Sequence, residues 1–245
     1  MKICRCLCVA SACLLLPPAA PAAPPAFHDA VLADAPLLHY RLGETAGDAV
    51  NYGALGAAYD AAYLGTPARG AATLAGDGGV AFDGADDYLE SNAVTPAALG
   101  GNPAFTAEAV VFIPAGGSAL NWAPFLHWGD SSGSSAQNTG KSVYFSVSRN
   151  LPHRYYAGFY NGGLRTVGTV AQGVWHHVVW VREAGGTDQA GTTLYIDGVP
   201  FALEADANLC CNGTTPNVVA TTAFRINRAE DFTRFFTGTL DEVAL

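Results

Sequence analysis

The chain has 245 residues, half of them hydrophobic and only 13% charged, so it can bury a substantial core and does not read as a disordered polyelectrolyte. Twelve basic residues stand against 21 acidic ones, for a formal net charge of −9, and Lys141 is the only lysine after residue 2. That balance excludes a nucleic-acid binder, which needs clustered cations to displace phosphate counterions, and it disfavours an anionic membrane surface.

The first 26 residues form a secretory leader. Lys2 and Arg5 precede an apolar run from about Leu7 to Leu16, followed by small residues ending in Ala-Ala-Pro-Pro-Ala. The run is too short to span a bilayer. Cleavage is expected between Ala20 and Ala26, which removes Cys4, Cys6, Cys8 and Cys13 and directs the product to the cell exterior, cell surface or periplasm. Residues 27–245 show no internal repeat or interior linker and are expected to form one domain.

From there the pattern is strand after strand. Leu38, Tyr40 and Leu42 alternate with His39 and Arg41. Asp83-Gly84 marks a turn, with Asp86 and Asp87 just beyond it. Ala109-Val110-Val111-Phe112-Ile113 is apolar on both faces, as is Val178-Val179-Trp180-Val181, and both are expected to be central strands covered on two sides. Between them, Trp122-Ala-Pro-Phe-Leu-His127-Trp128 opens into a polar Ser/Gly-rich loop over residues 130–141. Val143, Phe145 and Val147 alternate with Tyr144, Ser146 and Ser148, which predicts one buried and one wetter face. Asn161-Gly162-Gly163 is a turn, and Asp197-Gly198, set between Leu-Tyr-Ile and Val-Pro-Phe, is a two-residue hairpin turn. Cys210 and Cys211 are adjacent: they form a vicinal disulfide or two loop thiols, with an intermolecular bridge as a third option, and a metal site would want wider spacing and more ligands. Phe224 and Ile226 alternate with Arg225 and Asn227, and the chain ends on Thr-Gly-Thr-Leu-Asp-Glu-Val-Ala-Leu, which is itself a strand.

Five segments, in order, resemble the laminin G-like jelly-roll family. They are Tyr40-Arg41-Leu42-Gly43-Glu44 with Gly47 and Asp48; Phe82-Asp83-Gly84-Ala85-Asp86-Asp87-Tyr88-Leu89; Phe105-Thr106-Ala107-Glu108-Ala109; Trp175-His176-His177-Val178-Val179 with Leu194-Tyr195-Ile196-Asp197-Gly198; and Phe236-Thr237-Gly238-Thr239-Leu240-Asp241-Glu242-Val243. Val110 stands where that family usually carries tryptophan, and Asn227 where glycine is common. The resemblance spans residues 37–245 and implies an all-β fold: an antiparallel two-sheet jelly-roll sandwich of the concanavalin A-like type.

The resemblance also implies that the first and last strands lie close together. Glu44 falls in phase with Leu38, Tyr40 and Leu42, and Asp241 in phase with Val243 and Leu245, so both acids continue apolar faces. An acid there needs a partner. Either a calcium ion held by Glu44, Asp241 and Asp48 with main-chain carbonyls provides one, or the acids cap turns and pair with Arg41 or Arg225. Asp83, Asp86 and Asp87 could also collect calcium, although Asp83-Gly84 is first a turn. Trp122, His127, Trp128 and Tyr160, with Tyr155 and Tyr156, supply flat faces on which a sugar could stack, or else ordinary core.

A glycosidase needs two carboxylates across one sugar bond. No Glu-x-Asp-x-x-Glu occurs; Glu204-Ala-Asp206 is the nearest approach, and there is no Gly-x-Ser-x-Gly elbow. His176 and His177, as neighbours on a strand, point to opposite faces. No catalytic residue is assigned. The expected function is therefore a secreted binding module for a glycan or an extracellular protein, with structural calcium. A glycoside hydrolase or lyase of the same fold and a non-binding adhesive or structural spacer are the alternatives. Asn212-Gly213-Thr214 is a glycosylation sequon.

Overall fold

The structure is a computed structural model and describes residues 27–74, 76–116, 122–132, 136–148, 151–230 and 234–245. The leader lies outside the described residues. A short helix, α1 (Phe27–Ala33), opens the chain. The strands follow as β1 (His39–Tyr40), β2 (Ala61–Leu64), β3 (Ala68–Ala71), β4 (Gly79–Asp83), β5 (Tyr88–Val94), β6 (Phe105–Phe112), β7 (Pro124–Gly129) and β8 (Ser142–Ser148). They continue as β9 (Leu151–Phe159), β10 (Gly162–Thr166), β11 (Trp175–Arg182), β12 (Thr192–Ile196), β13 (Val199–Phe201), β14 (Leu203–Ala205), β15 (Ala223–Ile226) and β16 (Thr237–Ala244).

They pair antiparallel into two sheets. The first runs β13-β12-β11-β6-β16-β4-β3, with β1 added to the far end of β16. The second runs β14-β10-β9-β8-β7-β15-β5-β2. Strands distant in sequence sit side by side in both sheets, as a jelly roll requires, and the closing strand β16 lies in the middle of the first sheet rather than at an edge.

Aromatic packing joins the sheets. Phe105 of β6 meets Trp180 of β11 edge-on at 4.8 Å and Trp128 of β7 at 4.9 Å, so one phenyl ring links a tryptophan from each sheet. Phe145 and Phe159 pack on Trp180 from the second sheet, and Phe224 on Trp128. Both indoles are fully buried. Trp128 therefore belongs to the core: the strand pleat turns it inward and turns its neighbour His127 outward.

Turn chemistry follows the sequence closely. Asp197 and Gly198 both adopt positive φ, 52° and 77°, the arrangement of a tight hairpin turn between β12 and β13. Asn227, standing where glycine is common, takes a left-handed conformation (φ 68°) and holds it with two side-chain bonds. Its Nδ2 donates to the Asp87 carbonyl at 2.6 Å, and its Oδ1 accepts from the Phe236 N–H at 2.5 Å.

Two expectations about burial are corrected. Val179 and Val181 are half-buried, because β11 alternates and its second face is only partly covered. The strands buried on both faces are β7 and β8, and in β8 Tyr144, Ser146 and Ser148 are enclosed as fully as Val143, Phe145 and Val147. Hydrogen bonds tie Tyr144 to Glu230 and Ser148 to Asp206, loop side chains that lie over the outer face of the second sheet.

The aromatic junction makes Trp180→Ala the most damaging of the core truncations: urea denaturation is expected to show a loss of ~3–5 kcal/mol, the range for removing a buried tryptophan.

Candidate functional site

The pleat that seats Trp128, Val143, Phe145, Tyr155 and Ala157 in the core presents His127, Tyr144, Ser146, Tyr156 and Gly158 on the opposite face of the second sheet. Tyr156 folds along that face. Its hydroxyl donates to the carbonyls of Phe159 and Gly162, both at 2.8 Å. Glycine is required beneath it: a Cβ on Gly158 would lie 2.4 Å from that hydroxyl, and one on Gly163 2.7 Å away. Two glycines facing each other across the β9–β10 hairpin thus make the seat for the ring.

Around Tyr156, the side chains of Trp122, Tyr144, Tyr160, Asn161, Leu209 and Arg234 close a small pocket of about 30 Å³. That is room for one or two waters, so a larger ligand would sit across its mouth. The Arg234 guanidinium carbon lies 5.4 Å from the Trp122 ring centroid and 5.6 Å from that of Tyr144, and Arg234 NH1 donates to the Tyr144 hydroxyl at 3.4 Å. Of the residues singled out in the sequence, Trp122 and Tyr160 meet in this pocket. His127 lies beneath it, edge-on to Tyr144 at 4.9 Å, and Trp128 faces the other way, into the core.

Two buried carboxylates hold the pocket from behind. Glu230 forms an ion pair with His127 Nε2, accepts from the Ser131 and Ser142 hydroxyls, and accepts from the Tyr144 hydroxyl at 3.0 Å. Burial pushes its carboxyl up, but the charge and hydrogen bond of His127 outweigh this and hold it down at about 2. Asp206 accepts from the Trp122 indole N–H at 3.2 Å and from the Ser148 hydroxyl at 3.0 Å on one oxygen. Its other oxygen takes Arg165 and Asn208. Asp206 therefore sets the Trp122 ring, and Glu230 sets the Tyr144 ring. Glu204, the other half of the Glu-x-Asp pair, binds Arg154 and Arg165 instead.

The loop after Asp206 carries Leu209 into the pocket wall and then the Cys210–Cys211 disulfide, joined between neighbours. Asn212 fixes this loop: its Oδ1 accepts from Gly163 N–H at 3.0 Å and its Nδ2 donates to the Asp206 carbonyl at 2.9 Å. The sequon's acceptor nitrogen is thus already engaged within the fold.

A second cluster lies where β16 meets β1. A register shift between Asp241 and Ala244, with Glu242 at φ 49°, marks a bulge. In a regular strand these neighbouring acids would point to opposite faces; here both are fully buried, and each can present an oxygen within 4.8 Å of the other and of Asp77. Glu242 has partners, with Oε2 2.5 Å from His39 Nε2 and Oε1 3.7 Å from Arg41 Nε, and Arg41 also binds Asp77. Asp241 makes no well-formed hydrogen bond on either oxygen, only weak ones from the Thr73 side chain and the Glu242 N–H. Burial pushes its carboxyl up to about 7, with Glu242 and Asp77 adding to the push and Thr73 opposing it.

Glu44 and Asp48 are not in this group. Leu42 takes φ 60°, which ends the strand and breaks the phase that would have aimed Glu44 inward. Glu44 instead accepts from Val50 N–H and the Tyr63 hydroxyl, both at 3.0 Å, and shares a surface hollow with Arg41, Tyr52 and Asp77. Asp48 is exposed. Asp77 and Glu242 escaped the sequence reading because a bulge and a loop, not a periodic pattern, bring them together. Asp83, Asp86 and Asp87 also lie within reach of one another, with Asp83 accepting from Ala85 N–H and Asp87 from Thr66 N–H in local turn bonds. His176 pairs with Asp197 and His177 with Glu108, on opposite faces of β11.

A laminin G family model, described as the concanavalin A-like lectin/glucanases superfamily, matches residues 83–245. Among solved structures, a Trypanosoma rangeli sialidase in complex with 2,3-difluoro-KDN aligns with a TM-score of 0.52 and 16% identity, over 96% of this chain and 34% of its own. A mutant of the same sialidase displaying trans-sialidase activity aligns with a TM-score of 0.51 and 16% identity, over 87% and 31%. The chain thus spans about a third of the length of the sialidases it matches, and the likeness is one of fold. The carbohydrate-binding module CBM66 from Bacillus subtilis aligns with a TM-score of 0.35 and 15% identity, over 73% of this chain and 89% of its own. No curated protein matches the chain.

The Asp241 environment sets a pH dependence. Its folded pKa of about 7 exceeds the unfolded ~3.9, so between these values the native state holds the extra proton. In metal-free buffer its contribution to stability falls as pH rises from ~4 through about 7. Asp241→Asn is expected to melt higher than the parent at pH 8 in EDTA and to lose that slope; thermal melts across the range measure both.

Proposed function

Because the chain belongs to the concanavalin A-like lectin/glucanases superfamily, we propose that it is an exported carbohydrate-binding module whose ligand sits on the outer face of the second sheet, at the mouth of the Trp122–Tyr144–Tyr156–Tyr160 pocket. The observation that carries this reading is the pocket's construction. Four aromatic side chains and Arg234 converge on one spot, and buried carboxylates that are themselves fully bonded hold two of the rings in place. Sugars are recognised in this way, by aromatic faces against their C–H surfaces with a few polar groups at the edges. The small volume favours a glycan end, with one exocyclic group in the pocket and the ring across Trp122 and Tyr160.

The two carboxylates also bear on catalysis. A glycosidase acid must keep its proton near neutral pH, and Glu230 is held at about 2. Asp206 spends both oxygens on five donors. Both behave as ring-positioning groups, which supports binding over hydrolysis.

The calcium expected from the sequence finds its best donors at Asp77 and Asp241 rather than at Glu44 and Asp48. Asp241 brings two buried oxygens without a well-formed hydrogen bond, and a hard cation would offset the burial that raises its carboxyl. Its role there is structural, tying the closing strand to the loop that carries Asp77.

A glycan array followed by calorimetry tests the reading. Trp122→Ala and Tyr160→Ala are each expected to weaken binding at least tenfold and, because both side chains are buried, to lower the melting temperature as well, whereas Trp175→Ala, on the first sheet, leaves binding unchanged. No glycan bound in either calcium or EDTA would favour a spacer role, and glycan turnover would favour an enzyme.

A further inference from the structure

Beside the acidic cluster lies a second donor set of different chemistry. His28 of α1, His39 of β1 and Glu242 of the β16 bulge can each present one ligand atom within 4.8 Å of the other two. The two imidazole rings are 5.0 Å apart and tilted by 32°, with the Tyr52 ring edge-on to His28 at 5.1 Å. His39 and Glu242 are fully buried, and His28 is half-buried. Three polar atoms in this small space, His28 Nδ1, His39 Nδ1 and Glu242 Oε1, are buried without a hydrogen bond. Buried nitrogens of this kind normally find partners, and two on facing rings beside a carboxylate are a costly arrangement unless something binds between them.

Three carboxylates, Asp77, Asp241 and Glu242, lie around the set, and Arg41 pairs with Asp77 and, at 3.7 Å, with Glu242 Oε1. His39 Nε2 lies 2.5 Å from Glu242 Oε2, which brings these two donors together and holds the buried ring in place.

We propose that His28, His39 and Glu242 form a binding site for a first-row divalent metal ion of the zinc class. Two imidazoles and one carboxylate are the donors that zinc accepts, with a further position left to solvent. The site is distinct in chemistry from the oxygen-only Asp77–Asp241 pair, which suits a hard cation. Because α1 contributes His28 and the first sheet contributes His39 and Glu242, the bound ion would clip the N-terminal helix onto the body of the domain. This inference is independent of the glycan reading.

Zinc itself is the probe, added to the mature chain after chelation and followed by isothermal titration calorimetry, with cobalt as a spectroscopic substitute. One zinc ion per chain is expected, along with visible cobalt absorption of a nitrogen-ligated site and no displacement by equimolar calcium. His28→Ala should weaken zinc binding at least tenfold while leaving the melting temperature in EDTA close to that of the parent, since His28 is only half-buried. His39→Ala could unfold the domain, so His39→Gln, which keeps much of the volume, serves as the second variant and should also abolish the cobalt bands. Absence of zinc binding by the parent chain, or binding undiminished in both variants, would overturn the proposal.

Discussion

Phe105, wedged between Trp128 of one sheet and Trp180 of the other, is the contact on which the rest of the molecule depends. It fixes which face of each strand is the inside. Successive side chains of a strand point to opposite faces, so a buried Trp128 forces His127 outward, and buried Val143, Phe145 and Tyr155 force Tyr144 and Tyr156 outward. The candidate site is the other side of the same pleat. A one-residue slip of β7 or β8 would bury the site and expose the core, and the aromatic junction makes that slip costly.

The outward face does not stay wet. The loops around Asp206 and Glu230 bond to it, and the cost of burying their acids is met locally, donor by donor. Glu230 and Asp241 illustrate the two ways a buried acid can be treated. Glu230 has a histidine, two serines and a tyrosine and is held in its charged form. Asp241 has neighbouring acids and only weak hydrogen bonds, so burial raises its carboxyl to about 7. The first arrangement is complete by itself and acts as scaffold; the second leaves its carboxylate without a basic partner of its own.

The bulge in β16 concentrates this incomplete chemistry at one corner. By turning Asp241 and Glu242 toward the same region, it lets a single strand serve two donor sets, one of oxygens with Asp77 and one with the imidazoles of His28 and His39. The aromatic pocket lies on the other sheet, built with β8, β9 and the loops that follow β14 and β15. The aromatic pocket and the acidic corner therefore lie on separate sheets, joined through the tryptophan–phenylalanine core.

The sequence by itself determined the strands, their turns and the family. Period-2 alternation, Asp-Gly turns and the ordered laminin G-like segments are local properties, readable because a pleat and a tight turn each involve only a few neighbouring residues. It also brought Trp122, Tyr160 and Asp241 into view as candidates. Only the tertiary structure decided that Trp128 is core and His127 is not, that Tyr144, Ser146 and Ser148 lie under loops, and that Asp241 groups with Asp77 and Glu242 rather than with Glu44. The reason is physical. A loop that folds back over a sheet, a bulge that breaks phase and a left-handed Leu42 that ends a strand are set by contacts between residues far apart in the chain, and no periodicity records them.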